Sequence, residues 1–261
     1  MITINRKKNK KIRQRQFNIL ETIASRENVL TTELAEKFSV SIATITRDLQ
    51  ELERSGLILR IHGGATSIQG GGYESPFLTR MELQIAEKKR IAQAASKLIR
   101  EGDSLILDVG TTNHELAIQL RNRTKITVIT TSVMINEALA VQPSIDLYLL
   151  GGRYRRSEFS MTGHIAENNL RNFYANYAFL GSAGIDLTHG FTDYSYEQTG
   201  IKQVIINQAE TKIVLADHTK FDKVLLSWFC NLDKIDKIIT GIELSDEVYE
   251  RYKDYIEIMR V

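Results

Sequence analysis

The stretch SVSIATITRDLQELERSGLILRIHGGA, residues 39–65, decides the fold of the N-terminal part of the chain. Ser41 is a good helix N-cap, and Ile42, Ile45, Leu49 and Leu52 then recur at spacings of three and four. That period predicts one buried stripe along a helix ending near Gly56. The opposite face carries Ala43, Thr44, Thr46, Arg47 and Gln50, which are small or hydrogen-bonding residues close to the helix start. A major groove admits a helix whose N-terminal residues meet base edges. Arg47 suits a guanine or a phosphate, and Gln50 suits an adenine. Asp48 and Glu51 would oppose a polyanion, and the spacing turns them partly aside. Leu57–Ile61 reads as a strand, His62–Ala65 as a turn and Thr66–Ile68 as a returning strand. Together they make a wing on which Arg60 and His62 share one face.

Working outward, Gln14–Ser25 has the apolar pattern of a first helix, with Phe17, Ile19, Ile23 and Ala24 inward. A second helix fits Thr32–Phe38, with Thr31 or Thr32 as its cap. Three helices and a wing predict a winged helix-turn-helix over residues 1–68 that binds double-stranded DNA. Its candidate contacts are Thr31, Ser41, Ala43, Thr44, Thr46, Arg47, Gln50, Arg60 and His62, with Lys10 and Lys11 on the basic tail. Charge agrees with this: residues 1–60 hold 12 Lys/Arg against 7 Asp/Glu, whereas the rest hold 22 against 25. Residues 69–76, with Gly70-Gly71-Gly72 and Pro76, read as a linker.

From residue 77 to 261 the pattern changes. Met81–Arg100 reads as one amphipathic helix. Short apolar runs at Ser104–Val109, Ile126–Thr131, Asp146–Leu150, Tyr177–Leu180, Lys212–Ala216 and Asp236–Thr240 then alternate with helical segments. This predicts an α/β domain with a mostly parallel, doubly wound sheet. Ligands in such sheets lie beyond the carboxyl ends of the strands, where the polar residues gather. Asp108, Gly110, Thr111 and Thr112 open directly into a helix, an arrangement suited to a phosphate. Thr131 and Ser132, Gly151, Gly152 and Arg153, Gly181, Asp186, Asp217 and Lys220 end the other strands. Lys220 and Arg153 are candidates to neutralise an anion, and the aspartates to bond sugar hydroxyls.

The order Leu34-Ala35, Phe38-Ser39-Val40-Ser41, Arg47-Asp48-Leu49 and His62-Gly63-Gly64-Ala65, followed by Asp-x-Gly-Thr-Thr at 108–112 and Ala-Asp-His-Thr-Lys-Phe at 216–221, resembles the DeoR family of bacterial regulators. One departure is Thr46, where the family usually has an arginine. The resemblance implies a sensor domain similar in fold to ribose-5-phosphate isomerase. It also implies a phosphorylated sugar or polyol as effector, most often with a repressor's role, and a homo-oligomer, a dimer or a tetramer.

The remaining classes fare worse. The alternative is a sugar-phosphate-isomerase-like enzyme fused to a DNA-binding domain. The family comparison implies an acidic pair in such enzymes where Gly181-Ser182-Ala183-Gly184 stands here. No nucleophile elbow, dinucleotide fingerprint or Walker motif occurs. The five histidines and single cysteine show no metal-ligand spacing, so neither a metal nor a cofactor is expected. The single cysteine, no apolar run of membrane-spanning length and no signal peptide point to the cytoplasm. A sensor of a protein or an unphosphorylated sugar stays open on the residues alone.

Overall fold

The computed structural model describes residues 15–16, 18–20, 22–23, 28–54, 58–66 and 77–261. Lys10, Lys11, Phe17, Ala24, Gly56, Ser67, Ile68 and the 69–76 linker lie outside the described residues. The chain divides into two compact units, Met1–Ser75 and Pro76–Val261.

In the N-terminal unit the described residues between 15 and 23 are helical. They are followed by β1 (Asn28–Leu30), α1 (Thr31–Lys37), α2 (Ile42–Arg54), β2 (Leu59–Ile61) and β3 (Gly64–Thr66). Ile19, Ile23, Leu34, Ile45, Leu49 and Ile58 make one apolar core. The wing gains a strand that local pattern does not reveal, because β1 pairs antiparallel with β3 in the order β1-β3-β2. His62-Gly63-Gly64-Ala65 now has a steric reason. Gly63 takes φ 77°, and a Cβ on Gly64 would run into the Val29 carbonyl oxygen of the facing strand. Gly64→Ala is therefore expected to cost this unit about 1–3 kcal/mol by overpacking. Helical circular dichroism in urea, with duplex binding measured alongside, checks it.

Three expectations are corrected here. Leu30, not Thr31 or Thr32, occupies the N-cap of α1, and Thr31 is its buried first residue, donating its N–H to Gly63 O at 2.9 Å. That bond ties the helix start to the wing turn and takes Thr31 off the surface. Ile42 leaves the buried stripe and is 53% exposed. His62 falls in the turn after β2 instead of sharing a strand face with Arg60.

The C-terminal unit is built on a seven-stranded, wholly parallel sheet. Its strands are β4 (Ser104–Leu107), β5 (Ile126–Thr130), β6 (Ile145–Leu149), β9 (Ala175–Leu180), β12 (Ala209–Leu215), β14 (Lys237–Thr240) and β15 (Glu257–Arg260). The order β15-β14-β12-β9-β4-β5-β6 runs outward from β4 in one direction, then jumps back and runs the other way. The switch point of a doubly wound sheet thus lies between β4 and β9. Leu105 and Leu107 face one core with α4 (Ile85–Ser96), α5 (Thr111–Leu120) and α6 (Val133–Leu139). Ile106 faces the other, with α7 (His164–Leu170), α8 (Tyr196–Asn207) and α9 (Asp246–Tyr252). Burial on both faces explains the unbroken apolar runs.

The helix expected over Met81–Arg100 is two helices, α3 (Phe77–Glu82) and α4, broken at Gln84 with φ 51°. The break frees the Arg80 carbonyl, which accepts the Lys88 ammonium at 2.5 Å. Small additions elude the periodicity. The hairpin β7 (Arg153–Arg155) with β8 (Ser160–Thr162) is one. The antiparallel sheet β10 (Gly184–Asp186), β11 (Gly190–Asp193) and β13 (Ser227–Cys230) is the other. Trp228 and Cys230 lie on β13 at the edge of that sheet.

Candidate functional site

Two surfaces hold the candidate residues, one in each unit. On α2, Ser41 caps the helix, its Oγ accepting Thr44 N–H at 3.2 Å and bonding Thr44 Oγ1 at 2.8 Å. The acids are dealt with by the first helix. Arg15 Nε donates to Asp48 at 2.5 Å and Gln16 donates to Glu51 at 2.6 Å, so Asp48 is buried. Near its start α2 leaves Ile42, Ala43, Arg47 and Gln50 exposed, with Thr44 and Thr46 half-buried, and further along it exposes Glu51, Glu53 and Arg54. Arg60 braces the wing, its Nε donating to Gly64 O at 3.0 Å, and His62 stands exposed at the turn.

The second surface is the crevice at the sheet's switch point. Gly110 takes φ 154° and ψ 152° as the N-cap of α5, a conformation that glycine alone visits freely. Thr111 and Thr112 follow as the first helical residues, largely buried. Asn113 staples the two sides together by donating to the carbonyls of Asp108 and Phe179 at 3.0 and 3.1 Å. Asp108 is wholly buried and accepts the Gly181 N–H at 3.1 Å across the switch point. Its main partner is one that sequence reasoning missed, Lys202 of α8. The Lys202 ammonium donates to Asp108 Oδ2 and to Gly181 O, lies 3.4 Å from Asp193 and sits over the Phe229 ring. Burial pushes the Asp108 carboxyl above its usual range, against the pull of Lys202. Asp108 Oδ1 and Asn113 Oδ1 are buried acceptors with no donor among the described residues.

A few strands along, Asp217 Oδ1 accepts the N–H and hydroxyl of Thr219, and Lys220 Nζ stands 3.9 Å from its Oδ2. Burial works to raise the Asp217 carboxyl, but Lys220, the Thr219 hydroxyl and Lys88 outweigh it and hold it below the usual range. Lys88, the second residue that sequence reasoning missed, is lowered to about 8. Burial is the main cause, and Lys220 and Arg80 push the same way. Lys223 is lowered too, by burial and by Lys220. Lys220 thus stands beside Asp217, and the charges of Lys88 and Lys223 are coupled to both. Glu87, Asp217 and His218 also gather closely enough to suggest a metal. Their lone pairs already serve protein donors, however: Glu87 accepts from His218 N, His218 Nδ1 and Gly241 N.

The other candidates have local partners. Thr131 is buried, with its carbonyl accepting Met161 N–H at 2.8 Å, and Ser132 caps α6. Gly152 is packed against Ala166, and Gly151 is exposed. Arg153 is largely exposed and ion-paired with Glu197. Asp186 closes the β10–β11 turn by accepting from Thr188 and His189 N–H groups at 2.9 and 2.8 Å. No helix among the described residues is long and apolar enough to cross a membrane.

Residues 15–70 match the DeoR-like helix-turn-helix domain, and residues 83–241 match the DeoR C terminal sensor domain. The chain is 34% identical to the lactose phosphotransferase system repressor of Lactococcus lactis, over 95% of this chain and 98% of that one. It is 31% identical to the glycerol-3-phosphate regulon repressor of Escherichia coli, over 87% and 90%. It is 29% identical to the transcriptional regulator GolR of Listeria innocua, over 92% and 95%. Among solved structures, ribose 5-phosphate isomerase from Methanocaldococcus jannaschii gives a TM-score of 0.38 at 22% identity, over 51% of this chain and 53% of that one. At that level the likeness carries no functional argument. With a DNA-binding module and a sensor module that both match it, the chain belongs to the DeoR family of transcriptional regulators.

Proposed function

We propose that this regulator represses an operon for uptake or breakdown of a sugar or polyol, and that a phosphorylated sugar bound in the switch-point crevice relieves it. The observation that carries the reading is the gathering of lysines at Asp217, where Lys220 Nζ stands 3.9 Å from Oδ2 and the charges of Lys88 and Lys223 are coupled to the same group. Such a site holds surplus positive charge in part-buried surroundings, where a phosphate dianion gains most. The start of α5, with Gly110, Thr111 and Thr112, is a further place for its oxygens. Asp108 Oδ1 and Asn113 Oδ1 are acceptors for the hydroxyls of the sugar chain. The names of the relatives, repressors of a glycerol-3-phosphate regulon and of a lactose phosphotransferase system, support the same chemistry. α2 reads the operator in the major groove as part of a symmetric oligomer, because one recognition helix covers few bases. The chain works in the cytoplasm, where DNA and phosphorylated sugars meet.

The enzyme reading is disfavoured by how the carboxylates are used. A general base must reach the reacting carbon with a free lone pair, yet Asp217 is held by Thr219 and Lys220, and Asp108 is wholly buried and ion-paired with Lys202. A thermal-shift comparison of sugar phosphates with their parent sugars on the full chain tests the proposal. Phosphate esters are expected to raise the melting temperature and release operator DNA, while parent sugars do neither. Equal response to both overturns it, and so does turnover of the ester.

A further inference from the structure

Ile42 is the residue whose place the helical period gets wrong. Ile45 and Leu49 of the same stripe are fully buried, yet Ile42, on the first turn of α2, is 53% exposed. It stands beside Ala43, which is also exposed, while Arg47 and Gln50 stand exposed one and two turns on. The helix therefore presents an apolar tip followed by a polar flank. Asp48 is turned away into its pair with Arg15, and the exposed Glu51 accepts a hydrogen bond from Gln16. A branched aliphatic side chain shown to water gains by meeting an apolar group. The major groove offers one, the C5 methyl of thymine. The first residues of a groove-bound helix are those that meet base edges.

We infer that Ile42, with Ala43 beside it, is a specificity-determining residue that selects thymine in each operator half-site by contact with its C5 methyl. This rests on the reading that α2 lies in the major groove, and it adds a base preference to it.

The experiment uses the full chain. A binding site is selected from a random duplex pool, and each thymine is then replaced singly by deoxyuridine, which removes the methyl and nothing else. At fixed salt, one or two positions per half-site are expected to lose about fourfold in affinity, the worth of one buried methyl. Ile42→Ser is expected to lose that discrimination at the same positions, and Ile42→Val to keep most of it. Unchanged discrimination in Ile42→Ser overturns the inference, as does a selected site in which no deoxyuridine substitution matters. Arg47→Ala separates the two levels. It should abolish preference at other positions while keeping the thymine-to-uracil difference. If the wild-type chain selects no sequence at all, groove reading by α2 fails, and the inference fails with it. Ile42 is exposed, so both variants are expected to keep the wild-type melting temperature, which is measured alongside.

Discussion

Lys202→Met is expected to destabilise the C-terminal unit by about 3–5 kcal/mol, the cost of leaving a buried charge without its partner. Lys202 and Asp108 are both inaccessible to water, and the ammonium also serves Gly181 O and Asp193. Removing it leaves two carboxylates close together with no cation between them. Lys202→Met combined with Asp108→Asn removes one of those charges and is expected to recover at least half of the loss. The single tryptophan, Trp228, lies on β13 next to Phe229, whose ring the ammonium covers, so urea unfolding followed by its fluorescence reads this unit. A single variant costing under about 1 kcal/mol, the range of an exposed pair, would sink the assignment. A double variant no better than the single would mean that lost packing, not charge, sets the cost.

Lys88→Met is expected to weaken effector binding about 10- to 100-fold, the worth of one hydrogen bond to a charged group, and to leave operator binding intact. The same residue gives a pH signature. In the folded, unliganded chain Lys88 loses its proton at about 8, against 10.5 for a free lysine, while Asp217, Glu115, Lys220 and Arg80 face it. A phosphate dianion beside it favours the charged form and so raises that value. The ester keeps its two charges above pH 7, since its second pKa is about 6. Affinity should therefore hold steady up to about pH 8 and fall as pH climbs past it, with binding taking up a proton there. Calorimetry in buffers of different ionisation enthalpy measures that uptake. Lys88→Met should show neither the fall nor the uptake; a pH profile identical to wild type would exclude Lys88 from the site. The linkage to folding runs the other way. The unfolded chain holds the Lys88 proton up to about 10.5, so this group's contribution to stability rises between about pH 8 and 10.5.

Local pattern carried much of this molecule. The period of Ile45, Leu49 and Leu52 placed α2, and apolar runs such as Ser104–Leu107 placed a two-sided parallel sheet. Asp108, Gly181, Asp217 and Lys220 fell at strand ends because strand ends are set by where such runs stop. The residues that were not legible depend on distant partners. Lys202 meets Asp108 across 94 positions of sequence. A trace of it was present, since Gln198, Ile201, Lys202 and Ile205 share one helical stripe and all are buried. A lysine on such a stripe signals a buried anion. Lys88 was hidden because a continuous helix from Met81 would have left no carbonyl for its ammonium; only the left-handed turn at Gln84 supplies one. Strand β1 escaped because three residues are too few to show a period, and its pairing with β3 is set by contact across the wing.

The Arg15–Asp48 pair decides how much of the DNA-reading head can be exchanged. Asp48 is buried on the inward side of α2, and its bidentate partner comes from the helix that opens the unit. A chimera that transplants residues 41–54 alone into another winged scaffold would carry a buried carboxylate into a core with no guanidinium to receive it. Retargeting therefore has a minimum graft, which runs from Arg15 through Arg54, and within that graft Ile42, Ala43, Arg47 and Gln50 are the positions free to be rewritten.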